Sequence, residues 1–186
     1  KINLFSKSDM DTELRPLSPM DHKGVNGRLL IIGGSTGMAG SVCLAARAAM
    51  RAGAGLCHVA IPKSIYPIVA TKLTEAMTIP LDDDENGCIS AHGADKLDDI
   101  INKSDAVVIG CGMSVNDNTC AFMDRLIDKI KIPMLVDADG LNILSRNIDF
   151  FYRFNGPVVL TPHAMEMSRL TGKSVENINN DRVGTA

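Results

Sequence analysis

Short β-branched apolar runs alternate with helical patterns from Gly27 to the end of the chain. This alternation is typical of strand–helix–strand units, in which helices connect parallel strands. The predicted strands are 28–32, 56–61, 76–81, a short run at 88–90, 105–109, 133–136 and 158–160. The predicted helices are 41–52, 65–72, 93–101, 118–130 and 141–144. The sequence therefore predicts an α/β fold with a mostly parallel sheet.

The first 26 residues differ in character from the rest, because they are polar and carry two prolines. We interpret 1–26 as a leader or linker and 27–186 as the domain. A chain of 186 residues is long enough for one domain with its own core.

The bulk composition excludes several partners. A formal net charge of −3 gives no electrostatic reason to expect binding to nucleic acid or to an anionic membrane. The five cysteines are odd in number and contain no C-x-x-C pair, which favours reduced thiols. No apolar run reaches about 18 residues, and no signal-peptide pattern opens the chain. These features predict a cytoplasmic location.

A glycine-rich loop, Gly33–Gly40, follows the first strand. Its glycines remove side chains, so backbone N–H groups can approach a ligand, and we take Gly34 and Ser35 as nucleotide or phosphate contacts. The loop lacks the Gly-Lys-Ser/Thr ending of a P-loop and does not match G-x-G-x-x-G. The alternative interpretation is a tight turn with close helix–sheet packing.

Two further strands end in residues suited to ligand contact. Gly110-Cys111-Gly112 follows one strand, and Asp137 and Asp139 follow another. Loops at the carboxyl ends of parallel strands converge on one crevice. One aspartate is predicted to face magnesium or phosphate, and for Asp139 the alternative is an N-cap. The acidic run 82–85 is interpreted as a solvated loop, with a cation site as the lesser alternative.

The last predicted strand ends in Thr161-Pro162-His163. Thr161 is a predicted N-cap, and Pro162 suits the first helical position because it has no N–H to lose. Glu166 then lies near the positive end of the helix dipole. His163 and Glu166 are three residues apart, so both can face the crevice. The alternative is that Glu166 only completes a capping box.

Taken together, these segments resemble the ADP/ATP-dependent NAD(P)H-hydrate dehydratases. The resemblance rests on the following stretches, which match in order and spacing over 22–186: His-Lys-Gly at 22–24, Asn-Gly-Arg-Leu-Leu-Ile-Ile-Gly-Gly-Ser at 26–35, Gly-Met-Ala-Gly-Ser at 37–41, Arg-Ala-Gly-Ala-Gly-Leu at 51–56, Val-Val-Ile-Gly-Cys-Gly at 107–112, Val-Asp-Ala-Asp-Gly-Leu-Asn at 136–142, and Leu-Thr-Pro-His followed by Glu166 at 160–166. It implies a ribokinase-like three-layer α/β/α sandwich whose C-terminal part is missing from this chain.

The resemblance also implies an activity. The family repairs hydrated NADH and NADPH by phosphorylating the ring hydroxyl with ADP or ATP and then eliminating phosphate, with Mg²⁺ as the expected cofactor. By match, Ser41, Gly112 and His163 fall at substrate-contact positions. Glu166 matches the acid of the superfamily motif Asn-x-x-Glu, which organises magnesium and phosphate, and His163 stands at the Asn position. The metal ligands are not assigned.

In the family, a Lys-Gly segment and a Gly-Asp loop that supplies the catalytic base follow the His-x-x-Glu helix. Both would lie beyond Ala186, so we expect no catalytic base within these residues and little turnover by this polypeptide alone. An exposed apolar sheet edge is expected to favour a homo-oligomer. Two alternatives remain open: a ribokinase-like kinase of a small vitamin precursor, and a non-catalytic nucleotide-binding fragment.

Overall fold

A computed structural model describes Ser6, Asp9, Met20 and residues 24–186 of the chain. The predicted leader, 1–26, lies largely outside the described residues. Within the described part, no helix combines the length and the apolar character needed to cross a bilayer.

The centre of the fold is a six-stranded sheet in which all neighbouring strands are parallel. The strands are β1 (Arg28–Ile32), β2 (Leu56–Pro62), β3 (Met77–Leu81), β4 (Ala106–Ile109), β5 (Met134–Val136) and β6 (Val158–Leu160). Their spatial order is β3-β2-β1-β4-β5-β6. The direction of winding therefore reverses between β1 and β4, the place where open parallel sheets bind ligands.

Helices connect the strands. The described α-helices are α1 (Ala39–Ala52), α2 (Tyr66–Lys72), α3 (Asp98–Asn102), α4 (Asp117–Leu126), α5 (Asp139–Leu144), α6 (Ala164–Thr171), α7 (Val175–Asn180) and α8 (Arg182–Thr185). Short 3-10 turns occupy Lys63–Ile65, Ala91–Lys96, Ile127–Lys129 and Ile148–Arg153.

The sheet separates two apolar cores. Successive side chains of a strand point to opposite faces, so in β1 Ile31 belongs to one core while Leu30 and Ile32 belong to the other. Val42 of α1 and Val69 of α2 fill the first core, whereas α4 and α5 fill the second. A sheet covered by helices on both faces is the three-layer α/β/α sandwich that the resemblance implied, and the predicted fold class is confirmed.

Three predicted elements differ from the structure. The predicted helix 118–130 is divided into α4 and the 3-10 turn Ile127–Lys129. The predicted helix 93–101 is divided into the 3-10 turn Ala91–Lys96 and α3. The predicted strand at 88–90 is reduced to a single antiparallel bridge between Ile89 and Asp83. Its backbone groups bond instead within a tight loop, in which Ser90 N–H donates to the Asp82 carbonyl at 2.9 Å.

The acidic run after β3 is not a solvated loop, so that interpretation was wrong for Asp83 and Asp84. Ser64 N–H donates to Asp83 Oδ2 at 2.8 Å, and the Asp83 side chain is only 7% exposed. Asp84 accepts four hydrogen bonds within 3.2 Å, from Asn86 N, Cys88 N, Asn116 Nδ2 and Asn118 Nδ2. These bonds attach the loop after β3 to the start of α4.

The Asp84 carboxylate makes stability depend on pH. Burial alone would raise the pKa of Asp84, but its hydrogen bonds outweigh burial and hold that pKa below the ordinary value. A carboxyl with a lowered folded-state pKa stabilises the fold above its unfolded-state pKa, and this contribution is lost as pH falls through the folded-state pKa.

We expect Asp84→Asn to lower the free energy of unfolding at neutral pH by about 1–3 kcal/mol, because an amide cannot accept all four bonds. The difference from wild type should begin to shrink near the unfolded-state pKa of about 4 and disappear as pH falls through the lowered folded-state pKa, below which the wild-type carboxyl is also neutral. Urea denaturation at several pH values measures this. Asp99→Asn, at an exposed position of α3, is the matched control. A difference for Asp84→Asn that does not depend on pH would contradict the prediction.

Candidate functional site

The loops after β1 and β4 are joined directly across the reversal of strand order. Gly34 N–H donates to the Cys111 carbonyl at 2.9 Å, and Ser35 Oγ donates to the Gly112 carbonyl at 2.9 Å. Ser35 is 1% exposed, and its hydroxyl joins the two loops that form the wall of the crevice. Three residues predicted from the sequence therefore lie together here: Gly34, Ser35 and Gly112.

Ser41 lies in the first turn of α1, beside Gly112. Its hydroxyl donates to the Met38 carbonyl at 2.7 Å and lies 3.2 Å from the Cys111 carbonyl, within hydrogen-bond reach. Gly112 has a φ of +65°, and a Cβ at this position would overlap the Ser41 hydroxyl. The two predicted substrate positions are thus in direct contact, and only glycine fits there.

Asp137 connects the ends of β4, β5 and β6. Thr161 Oγ1 donates to Asp137 Oδ1 at 2.8 Å, and Cys111 Sγ donates to Asp137 Oδ2 at 3.5 Å. Burial, together with the charge of Asp137, raises the pKa of Cys111 to about 11. The thiol is therefore protonated at neutral pH, which does not favour a nucleophilic role for Cys111.

Asp139 is the first residue of α5, and Ala138 precedes the helix, so the N-cap alternative for Asp139 was wrong. Its Oδ2 accepts from Ser114 N–H at 2.9 Å, and its Oδ1 accepts from Asn142 Nδ2 at 3.3 Å. Ser114 and Ala138 are the non-glycine residues of the described part with positive φ, at 62° and 50°. Both strained positions flank this crevice, which is where backbone strain tends to occur in functional proteins.

His163, not Thr161, is the N-cap of α6. His163 Nδ1 accepts from the N–H groups of Met165 and Glu166 at 3.2 Å each, and Glu166 Oε2 accepts from His163 N–H at 2.9 Å. The Thr161 prediction was wrong because its hydroxyl is already bonded to Asp137. The capping-box alternative for Glu166 is confirmed, and this carboxylate is 5% exposed.

The capping box leaves part of the His163 ring open. Because Nδ1 accepts hydrogen bonds, the ring proton of a neutral His163 is on Nε2, which lies 3.3 Å from Glu166 Oε1. The His163 side chain is 65% exposed, and it lines an open cavity of about 590 Å³ beside α7. The imidazole is therefore held in one orientation while one of its faces stays accessible.

The predicted site residues thus fall into two groups within the described part of the chain. The first comprises Gly34, Ser35, Ser41 and Gly112, and the second comprises His163 and Glu166. Asp137 and Asp139 lie between them. Sequence reasoning missed the contacts of Ser114, Asn142 and Arg169. Asn142 belongs to the 136–142 stretch, but its position there does not indicate which side chains it contacts, and Ser114 and Arg169 lie outside the motifs.

A metal site formed by protein groups alone is absent from the described residues, since no three His, Cys, Asp or Glu side chains gather to hold an ion. Mg²⁺ commonly uses one or two carboxylates and completes its shell with phosphates and water. Asp137 and Asp139 fit that limited role, although each already accepts hydrogen bonds from the protein.

A family model for NAD(P)H-hydrate dehydratase matches residues 29–186. The chain belongs to this family. A bifunctional NAD(P)H-hydrate repair enzyme Nnr from Moorella thermoacetica is 40% identical over 165 residues, which cover 89% of this chain and 31% of that protein. An ADP-dependent (S)-NAD(P)H-hydrate dehydratase from Xanthomonas campestris is 38% identical over 155 residues, covering 83% of this chain and 52% of that protein. The chain thus spans a third to a half of these relatives.

Solved structures agree with the dehydratase assignment. The ADP/ATP-dependent NAD(P)H-hydrate dehydratase from Bacillus subtilis, co-crystallised with ATP and Mg²⁺, superposes with a TM-score of 0.78 at 26% identity. The match covers 98% of this chain and 60% of that one. A ribokinase-like protein from Enterococcus faecalis has a TM-score of 0.78 at 21% identity, which shows the shared fold alone. The predicted ribokinase-like fold is therefore confirmed.

Proposed function

We propose that this protein acts in the dehydration of hydrated NADH and NADPH, with ADP or ATP as phosphate donor. The observation that carries the proposal is the convergence of the loops after β1, β4, β5 and β6 at the reversal of strand order, in a chain of the dehydratase family. The names of the relatives favour this reaction over phosphorylation of a vitamin precursor.

The proposed reaction has two steps. The hydroxyl oxygen of the hydrated nicotinamide ring loses its proton and bonds to the terminal phosphorus of the nucleotide, while the bond to the departing ADP (from ATP) or AMP (from ADP) breaks. The ring C–O bond then breaks and phosphate leaves with its electron pair. A proton is lost from the adjacent carbon, and the electrons of that C–H bond restore the ring double bond. Phosphoryl transfer of this kind depends mainly on positioning and on stabilisation of charge.

We assign substrate contact to Ser41, Gly112 and His163, and nucleotide or phosphate contact to Gly34, Ser35, Asp137, Asp139 and Glu166. The bonds between the loops support the first assignment, because they hold Gly112 and Ser41 side by side. Mg²⁺ would neutralise phosphate charge, with Asp137 and Asp139 as the carboxylates closest to that role. Removal of the hydroxyl proton is assigned to no residue of this chain.

The cytoplasmic location and the homo-oligomer stay predictions. The second is supported by the edge strand β6, on which Val159 is 57% exposed. An exposed apolar edge favours association with another chain.

Equilibrium binding tests the proposed function directly. We expect the purified protein to bind hydrated NADPH and Mg-ATP or Mg-ADP saturably in isothermal titration calorimetry. Turnover is followed by return of the dihydronicotinamide absorbance and release of phosphate. Folded protein that binds neither hydrated cofactor, or that binds a hydroxymethylpyrimidine or thiazole instead, would contradict the proposal.

His163→Asn separates capping from ligand contact. Asparagine is a favoured N-cap, so the free energy of unfolding should stay within about 0.5 kcal/mol of wild type. Loss of the imidazole should weaken binding of hydrated NADPH about tenfold, the equivalent of one hydrogen bond. His163→Ala, which also loses the cap, should cost about 1 kcal/mol of stability. Unchanged affinity in His163→Asn would remove His163 from the substrate site.

A further inference from the structure

Asn142 of α5 uses both ends of its amide to join two elements. Its Nδ2 donates to Asp139 Oδ1 at 3.3 Å, and its Oδ1 accepts from Arg169 Nη1 at 2.6 Å. Arg169 lies on α6, three residues after Glu166 and six after His163. The side-chain amide therefore ties the helix that carries the capping box to the loop after β5.

The same series of bonds continues toward the other side of the crevice. Asp139 Oδ2 accepts from the strained Ser114 N–H at 2.9 Å, and Ser114 Oγ lies 3.0 Å from Ser35 Oγ. Ser35 in turn donates to the Gly112 carbonyl. A continuous set of side-chain contacts thus runs from Gly112 to Arg169, across the loops after β1, β4 and β5 and onto α6.

We propose that Asn142 and Arg169 are positioning residues that hold α6 at a set place relative to the loop after β4. They would act on ligand binding only through His163 and Glu166 on one side and Gly112 on the other. The functional consequence rests on the proposed dehydratase function, whereas the mechanical link between α6 and Ser114 does not.

The energetics favour positioning over stabilisation. Arg169 is exposed, and an exposed polar contact of this kind contributes about 0–1 kcal/mol to stability. The site, in contrast, must keep its two groups of residues in register for phosphoryl transfer, and this series of polar contacts adds to the Thr161–Asp137 bond and to the pairing of β5 with β6. The Arg169–Asn142 hydrogen bond can therefore affect the orientation of α6 more than it affects the free energy of unfolding.

The test uses Arg169→Met and Asn142→Leu, with Arg125→Met as matched control. Within the described part of the chain, Arg125 makes a single exposed ion pair, with Asp95 at 3.7 Å. The first readout is hydrogen exchange of the Ser114 amide by NMR. We expect about 2- to 30-fold faster exchange in both variants and no change in the control. Ser114 lies on the loop after β4 and Arg169 lies on α6. Faster exchange of the Ser114 amide in Arg169→Met would therefore report an effect carried through Asn142 and Asp139, because Arg169 itself does not bond to Ser114.

The second readout is affinity for hydrated NADPH. We expect about 2- to 30-fold weaker binding in Arg169→Met, with the melting temperature unchanged, and recovery in Arg169→Lys, which retains a donor. Exchange rates equal to those of Arg125→Met would overturn the proposal. If wild type binds no hydrated cofactor, the proposed function fails, and the exchange data still decide whether the link exists.

Discussion

Replacing Gly110 with alanine should lower the free energy of unfolding by about 3 kcal/mol or more. Gly110 has a φ of +119°, outside the regions that residues with a Cβ readily adopt. A Cβ there would overlap the Asp137 carbonyl and lie 2.6 Å from Gly140 N. Both obstacles are backbone atoms, so the strain cannot be relieved by a change of rotamer. The loop after β5 or the start of α5 would have to move.

Urea denaturation of Gly110→Ala beside Gly40→Ala measures this effect. Gly40 lies within α1, and a Cβ added there meets no atom within 4 Å. Alanine at that position should leave stability unchanged or raise it by up to about 1 kcal/mol, because it is the better helix former. Wild-type stability in both variants would show that Gly110 does not lie this close to the backbone of Asp137 and Gly140.

The largest expected loss of function follows Gly112→Ala. The new methyl group would overlap the Ser41 hydroxyl and lie 3.1 Å from Met38 Cβ, at a φ of +65°. The loop after β4 must shift away from α1, and a misplacement of about 1 Å can lower a reaction rate about 100-fold. Stability should fall by about 1–3 kcal/mol. Affinity for hydrated NADPH and the unfolding free energy are the two measurements.

Ser41→Gly supplies the second half of a double-mutant cycle. It removes the Oγ and Cβ atoms that the Gly112→Ala methyl group would meet, so the double variant should recover part of the lost stability. The interaction energy should be about 0.5–3 kcal/mol, in the direction of rescue. Strictly additive changes would show that contact between these two positions does not limit the site.

The two groups of site residues differ in how they depend on the fold. Gly34, Ser35, Ser41 and Gly112 are held by bonds between loops that follow non-consecutive strands, so their placement needs the complete sheet. His163 and Glu166 form a local capping box within four residues. The capping box of His163 and Glu166 forms wherever α6 forms. Its distance from the glycine-loop residues of the first group depends on the contacts of Asp137, Asn142 and Arg169.

The strands were the most predictable elements. The predicted limits of β1 and β6 agree with the structure, since a run such as Arg28–Ile32 is short, apolar and bounded by glycine. The helix predicted at 93–101 was less predictable, because a 3-10 turn and an α-helix share similar apolar spacing over a few residues. In the structure the turn packs closely on the loop before it, since a Cβ on Gly93 would lie 3.1 Å from Ile89 Cγ2.

The amino-acid sequence by itself determined the class of fold, the family, and the positions at which strands give way to ligand-binding loops, because apolar periodicity and glycine placement are local properties. Only the tertiary structure decided which polar groups meet. Asp84 accepts hydrogen bonds from Asn116 and Asn118. Thr161, predicted as the N-cap of α6, donates to Asp137 instead. Such pairings join residues more than 20 positions apart, and a side chain's partner is set by the atoms that packing brings within about 3 Å of it.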